Sequence, residues 1–479
     1  MKRIYIILAA LMVFTSSCNS WLELEPENEV IKEDFWNTQE DVESVLWSAY
    51  SGMQKLHTEM LTMGEAKGDG VDVFNNATLQ AVRLGMITAD NETASWEDWY
   101  QIINFCNLII AESEGVLDRD INYHMEEHHS LIAEAKTIRA FCYFYIVRLW
   151  KEAPLVTEAY DTDDQTFLKK KDTEETILEF CKQDLIDNLE YLKDSHTKEW
   201  EIYGRITKVA GQTLLADICL YKEDYQEAIT YCDQVLNNRF KALEDGEDWF
   251  ELFMDEFSNE SIFEIAFDKS KDQKNGLYGI FYNNNKPVFT YAEHWSRKKL
   301  FADNDIRGEK ASYNKANSYI LKYVSTLPTK PVYISSSASD FNYKIYRLAE
   351  VYFMKAEAHV MLEQYDQAKQ LMGVIRERAG LGNAVSVTSN VEQWLDFLLE
   401  EKLREFLGEG KRWFDLLRIG KKNNWQRKDL IIRTLMEYVP GADAAKVESM
   451  LQNPYAYYLP IHKNELEYNN LLEQNPYYK

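Results

Sequence analysis

Two segments 140 residues apart carry one spacing: Ala216, Tyr225 and Ala228 stand 9 and 3 residues apart, and Ala356, Tyr365 and Ala368 repeat those steps. In each, a helix bearing a small residue turns through Lys222-Glu223-Asp224 or Glu363-Gln364 into a second helix that opens on Tyr. Small residues let antiparallel helices approach closely, and the ring plugs the elbow. The spacing is that of a tetratricopeptide unit, so the chain is expected to stack helical hairpins. Over 131–150 the apolar residues Leu131, Ala135, Ile138, Cys142, Tyr145 and Leu149 recur at steps of three and four, with Pro154 beyond. That pattern predicts an amphipathic helix with a defined stop.

Two stretches lack any such period. The first, 64–95, holds Gly68-Asp69-Gly70 and Asn75-Asn76; the second, 268–343, holds Asn283-Asn284-Asn285, Pro287, Pro328, Pro331 and Ser335-Ser336-Ser337. Long loops persist in folded chains mainly where they have a task. No Pro/Gly/Ser linker separates clean domains, so these are expected as loops inserted into one helical body. The 30 Tyr, 22 Phe and 12 Trp are an unusual richness; aromatics serve cores first, and only a surplus can serve a binding surface. With 79 Asp+Glu against 53 Lys+Arg and a net charge of -26, the body would be repelled by nucleic acid or an anionic membrane face. A hydrophobic content of 46% and a mean hydropathy of -0.44 exclude both a multi-span membrane protein and a disordered chain.

The first residues form an address. Lys2 and Arg3 precede an unbroken apolar run over 4–14, followed by Thr15, Ser16, Ser17 and Cys18. The run is too short to span a bilayer and suits a signal peptide at 1–17. Small residues ending at a Cys resemble a bacterial lipobox, with Thr15 where Leu is usual, so Cys18 is the expected lipidated first residue of the mature chain. The other cysteines, Cys106, Cys142, Cys181, Cys219 and Cys232, are odd in number and include no C-x-x-C. Neither a disulfide framework nor a zinc finger is expected, and most read as small core residues.

Several motifs bear on chemistry. His124-Met125-Glu126-Glu127-His128 fits H-x-x-E-H, but a catalytic zinc needs a third protein ligand, and the polar segment reads better as the first turn of the following helix. Gly408-x-Gly410-Lys411 and Gly420-Lys421 lack the remaining elements of a phosphate loop. Asp161-Thr162-Asp163-Asp164 reads as a solvated acidic loop rather than a calcium site. Glu401, Arg404, Glu405, Arg412, Asp415 and Arg418 read as helix-spaced ion pairs that fix adjacent elements, not as catalytic carboxylates. No cofactor or metal is expected.

Taken in order, the motifs resemble those of the SusD/RagB family. They are Trp21-Leu22-Glu23-Leu24-Glu25-Pro26 after the Cys; Trp96, Tyr100, Ile103 and Asn107; Ala133-Glu134-Ala135 with Arg139-Ala140-Phe141; and Pro154-Leu155-Val156. The series continues with Arg347-Leu348-Ala349-Glu350, Ala356-Glu357-Ala358 and Ile375-Arg376-Glu377-Arg378-Ala379-Gly380-Leu381. It closes with Glu401, Arg404, Glu405, Glu409-Gly410, Arg412-Trp413-Phe414-Asp415-Leu416 and Arg418, then Leu459-Pro460-Ile461 and Gln474-Asn475-Pro476-Tyr477. Lys402, Met372 and His462 depart mildly from the family's usual residues.

The resemblance implies a mainly all-α protein in which tetratricopeptide-like hairpins pack against an irregular, loop-rich ligand-binding half with minor β structure. It implies a single body over 18–479, with an N-terminal region to about residue 200, a C-terminal region from about 201, and the insert at about 268–343. It further implies a non-catalytic lipoprotein, lipid-anchored on the outer face of the outer membrane. Such a protein captures oligosaccharide, or in some branches peptide, for a SusC-like TonB-dependent transporter. The rival readings are a secreted helical glycosidase and a tetratricopeptide adaptor. A neutral sugar asks for flat apolar rings and for amides, carboxylates or Arg beside them. The candidates in the two loop regions are Phe74, Asn75, Asn76 and Arg83, with Trp96 just after, and Tyr282, Asn284, Tyr291 and Trp295.

Overall fold

The computed structural model describes residues 35–479 apart from 162–164, 166–167, 255–256, 310, 327–330, 388, 440 and 442–443. The signal segment, Cys18 and the run Trp21 to Pro26 therefore lie outside the described residues, as do Thr162, Asp163, Asp164 and Pro328.

The fold is mainly helical. The first helix, α1 (Gln39–Ala66), opens on Thr38, whose hydroxyl accepts from the Asp41 N–H while the Asp41 carboxylate accepts from the Thr38 N–H, a reciprocal cap. Then follow β1 (Val71–Val73), α2 (Ala77–Arg83), α3 (Glu97–Val116), α4 (Met125–Trp150), α5 (Glu174–Asn188), α6 (Glu199–Gly204), α7 (Lys208–Tyr221) and α8 (Tyr225–Leu236). The middle of the chain holds β2 (Ser261–Ile265), α9 (Leu277–Phe281), β3 (Phe289–Tyr291), α10 (Glu293–Lys298) and β4 (Tyr343–Arg347). The remainder is α11 (Leu348–Met361), α12 (Tyr365–Arg378), α13 (Val391–Phe406), α14 (Arg412–Trp425), α15 (Lys428–Met436), α16 (Ala444–Leu451) and α17 (Lys463–Tyr468).

Both expected hairpins form. α7 and α8 are joined by Lys222-Glu223-Asp224, α11 and α12 by Leu362-Glu363-Gln364, and the middle Glu of each elbow takes a positive φ, 67° and 58°. Ala216, Ala228, Ala356 and Ala368 are all fully buried at the crossings. α8 packs on α11, with Lys355 Nζ 2.5 Å from Asp233 Oδ1, so the two repeats stack although the long insert separates them in sequence. Upstream, α1, α3, α4, α5 and α7 lie each against the next. α4 begins at Met125 and is stopped after Trp150 by Lys151, whose φ is 72°, ahead of Pro154. His124 precedes the helix without a side-chain bond to its first turn and is exposed, whereas the His128 ring is buried against Tyr123, so the two imidazoles of H-x-x-E-H do not share an opening.

The family-like motifs turn out to be fastenings. Tyr100 donates to the Pro154 carbonyl, the Asn107 amide to those of Val156 and Glu158, and the Tyr143 hydroxyl both donates to and accepts from the Val156 backbone. An extended segment with no sheet partner among the described residues is thereby satisfied. Gly408 and Gly410 hold the α13–α14 turn at φ 77° and 75°.

The charged cluster of α13 and α14 differs from the expectation of helix-spaced pairs. Intrahelical contacts exist, Arg404 to Glu401 at 3.1 Å and Arg418 to Asp415 at 2.8 Å. The stronger partners come from far along the chain. The Arg347 guanidinium spends all five N–H groups on Glu260, Glu405 and Glu409, at 2.7–3.0 Å. Arg307 reaches Asp305, Glu401 and Glu405, and Lys322 reaches Glu409 at 2.6 Å. Arg378 joins Glu260 to Glu405. These groups are buried, so the network is interior charge and not a solvated face. Burial alone would raise the Glu405 carboxyl, but Arg378, Arg347 and Arg307 overcome it and hold the group well below the ordinary carboxylate range. Asp305, Arg307 and Lys322 belong to the insert, so this network ties the loop-rich half to the helices.

Candidate functional site

The two period-free stretches meet. β1 from the first and β3 from the second pair antiparallel, with Val71 opposite Tyr291, Asp72 opposite Thr290 and Val73 opposite Phe289. Strands of three residues are too short for an alternating pattern to announce them. The Phe74 N–H donates to the Val288 carbonyl, and the Glu293 N–H to Asp72 Oδ2, at 2.8 and 2.9 Å. On the other side of β3, the Tyr291 N–H donates to the Ser318 carbonyl, bringing in a turn in which Asn314 Oδ1 accepts from the Ala316 N–H.

Between these segments lies a cleft of about 390 Å³. Phe74, 47% exposed, stands on one side, and Tyr319 on the other, its hydroxyl donating to the Asn285 carbonyl at 3.1 Å. Asp72, Asn75, Lys286 and Asn317 supply a carboxylate, two amides and an ammonium around them. Asn75 and all of Asn283, Asn284 and Asn285 adopt positive φ, from 39° to 67°. Asn tolerates that conformation better than most residues, which accounts for Asn75 at one lip and for the Asn run at the other. Beneath Tyr319, Tyr282 stacks on Tyr333 with centroids 4.0 Å apart and planes 6° apart. Tyr291 is buried on Tyr313 at 4.2 Å, and that burial raises its phenol, which stays neutral.

The residues singled out from sequence are distributed as follows. Phe74 and Asn75 face the cleft, and Tyr291 touches it from the strand behind. Asn284 accepts from the Tyr278 hydroxyl at 2.8 Å, and Tyr282 sits in the stack below. Asn76 caps α2 by accepting from the Leu79 N–H. Arg83 is buried, donating to the Ala66 and Val71 carbonyls at 2.6 and 2.7 Å with its guanidinium 3.9 Å from the Tyr438 ring. Trp96 is buried between Tyr100 and Trp150, away from this cleft. Trp295 lies outside the cleft lining beside His294, and its indole N–H finds no acceptor among the described residues. Sequence reasoning passed over Asp72, Asn285, Lys286, Asn317 and Tyr319. The last two belong to an Asn- and Ser-bearing turn inside the same insert, and that composition was the available signal.

An exposed ring opposed by a phenol, with amides and charged groups between, can cover an apolar face and hydrogen-bond to hydroxyls. Among the described residues, no group of three or more His, Cys, Asp or Glu is placed to hold a metal ion.

Comparison with known proteins bears on the whole chain. A family model described as "SusD family" matches residues 255–478, and one described as "Starch-binding associating with outer membrane" matches residues 20–220. A SusD-like protein of Formosa agariphila is 27% identical, the match covering 87% of this chain and 91% of the relative. Another, from Bacteroides ovatus, is 21% identical over 87% of this chain and 82% of its own. Among solved structures, a SusD superfamily protein of Bacteroides vulgatus superposes with a TM-score of 0.76 at 22% identity, covering 92% of this chain and all of that one. A Bacteroides fragilis member gives 0.75 at 19%, over 93% and 100%. At such identities the structural likeness speaks for the fold.

Proposed function

The chain belongs to the SusD family, and on that premise we propose that it is a non-catalytic glycan-binding lipoprotein that captures oligosaccharide in the Phe74–Tyr319 cleft and hands it to a SusC-like TonB-dependent transporter. The family is associated with the outer membrane and is described as starch-binding. Attachment through Cys18, facing outward, is the anchoring this reading calls for. Several acyl chains, each contributing about 0.8 kcal/mol per buried CH2, would hold so acidic a body at a membrane.

The observation that carries the reading is the meeting of β1 and β3, which sets an open aromatic ring and a tyrosine across a polar trough. Rings stack on the CH face of a pyranose, and Asp72, Asn75, Asn317 and Lys286 suit its hydroxyls. Tyr282, Asn284 and Tyr291 support the lining from behind. Affinity electrophoresis over a panel of polysaccharides and peptides tests it. One or more neutral glycans should retard the chain, and Phe74→Ala with Tyr319→Ala should weaken that binding by about tenfold or more, the loss of one to two good stacking contacts. Retardation by peptides alone, or release of reducing ends by the purified protein, would overturn it.

A further inference from the structure

A second and larger cleft, of about 690 Å³, shares no lining residue with the first. Its walls are α1, which presents Trp47, and α6, which presents Trp200; the strand β2 and the residues after it form the floor. The two indoles pack together, 5.5 Å apart at their centroids with planes tilted by 43°, as a shallow V. Trp200 is 38% exposed.

The back of this V is fixed. The Arg205 guanidinium lies 4.9 Å from the Trp47 ring centroid and is itself clamped by Glu134 through two hydrogen bonds of 3.0 and 2.6 Å. Next to Trp47 on the helix, the Tyr50 hydroxyl accepts from the Ile206 N–H and donates to Glu134. Trp47 is thus held in place without the cleft being filled. An exposed Trp200 ring backed by an immobilised one lowers the ordering cost of a ligand that lies on it.

The front is polar and adjustable. Glu199, Asp268 and Asp340 line the rim with Lys271, three carboxylates to one ammonium. The Lys271 side chain is 66% exposed, 3.3 Å from Asp268, and its ammonium hovers 5.8 Å from the Trp200 ring. A solvated lysine over a ring is held weakly and can swing aside. Flat apolar faces bordered by carboxylate acceptors and the amides of Gln54 and Gln273 match a sugar's CH face and vicinal hydroxyls. The acidic rim opposes sulfated or uronate chains.

We infer that the Trp47–Trp200 cleft is a second saccharide site, taking a neutral oligosaccharide. This rests on the proposed glycan-binding reading for its ligand class. Two sites on one chain would let a polysaccharide engage both, so that the second contact forms at a raised effective concentration.

The test is calorimetric titration of the full mature chain with oligosaccharide fragments of whichever neutral glycan retards it on affinity gels. The wild type should bind two fragments, Trp200→Ala one, and Phe74→Ala/Tyr319→Ala one, at the other cleft. Lys271→Ala, a change at an exposed position, should tighten the second site by roughly twofold or more by uncovering the Trp200 face, an effect opposite in sign to structural damage. Trp200→Ala and Lys271→Ala chains that both titrate as the wild type would overturn the second site and leave the first standing. A wild-type chain that binds no neutral glycan would remove the glycan reading itself and this inference with it.

Discussion

Arg347 shows how far a single residue's partners lie from its sequence neighbours. Its N–H groups satisfy Glu260, Glu405 and Glu409, and removing the guanidinium leaves three buried carboxylates to share Arg378, Arg307 and Lys322. Arg347→Met should cost about 3–5 kcal/mol, seen as a lower urea midpoint, because breaking a buried pair strands the remaining charge. Arg347→Lys should recover little, since an ammonium has three donors and no fork. The pH dependence follows from the same interior. Glu405 is held below its ordinary value, so its contribution is present above the unfolded pKa and is lost as pH falls through the folded one; an acid-induced loss of stability below about pH 4 is expected. Glu65 has the opposite sign. Burial raises its carboxyl to about 8, the Gly410 N–H and Arg412 offsetting only part of that. Its contribution is full below the unfolded pKa and declines as pH rises toward 8. Between about pH 5 and 7, denaturation midpoints of the wild type should therefore fall relative to Glu65→Gln, by about 1.4 kcal/mol per pH unit. Parallel profiles for the two proteins would refute this.

Among the elements, α1 and the α13–α14 turn touch backbone to backbone. A Cβ placed on Gly64 would lie 1.9 Å from the Gly410 carbonyl oxygen, so no side chain fits there. Gly64→Ala should cost about 3 kcal/mol, at the upper end for overpacking. Gly115→Ala on α3, where nothing lies within 4 Å, should instead be neutral or stabilise by about 0.5–1 kcal/mol. Thermal melts of the pair check both signs at once. The helices were legible because their signal is local: alanines at the crossings, tyrosines at the elbows and apolar steps of three and four recur within each segment. The charge network was not. Its carboxylates on α13 carry helical spacing, and only the fold reveals that Arg307 and Arg347, 98 and 58 residues from Glu405, are the partners. β1 and β3 were equally hidden, being short and far apart in the chain.

At the level of the molecule, the two loop regions were recognisable as stretches without helical period, and the structure lays them side by side. Which side chains point outward was not recognisable. Arg83 and Trp96 have the chemistry of contact residues, yet both are buried against backbone carbonyls or other rings, because composition does not encode which face of a loop is open. The anchoring proposal is tested on intact cells: the wild type should incorporate labelled palmitate, and Cys18→Ala should not. Labelling of the variant at wild-type level would sink it. One feature of the interior reaches further. The insert is bolted to the helical stack through Asp305, Arg307 and Lys322, while the residues that line its cleft take no part in that network. Anchor and lips are therefore separable. Chimaeras that exchange the lips between relatives but keep those three residues should fold and inherit the donor's ligand preference, a route by which such a scaffold changes what it holds without being rebuilt.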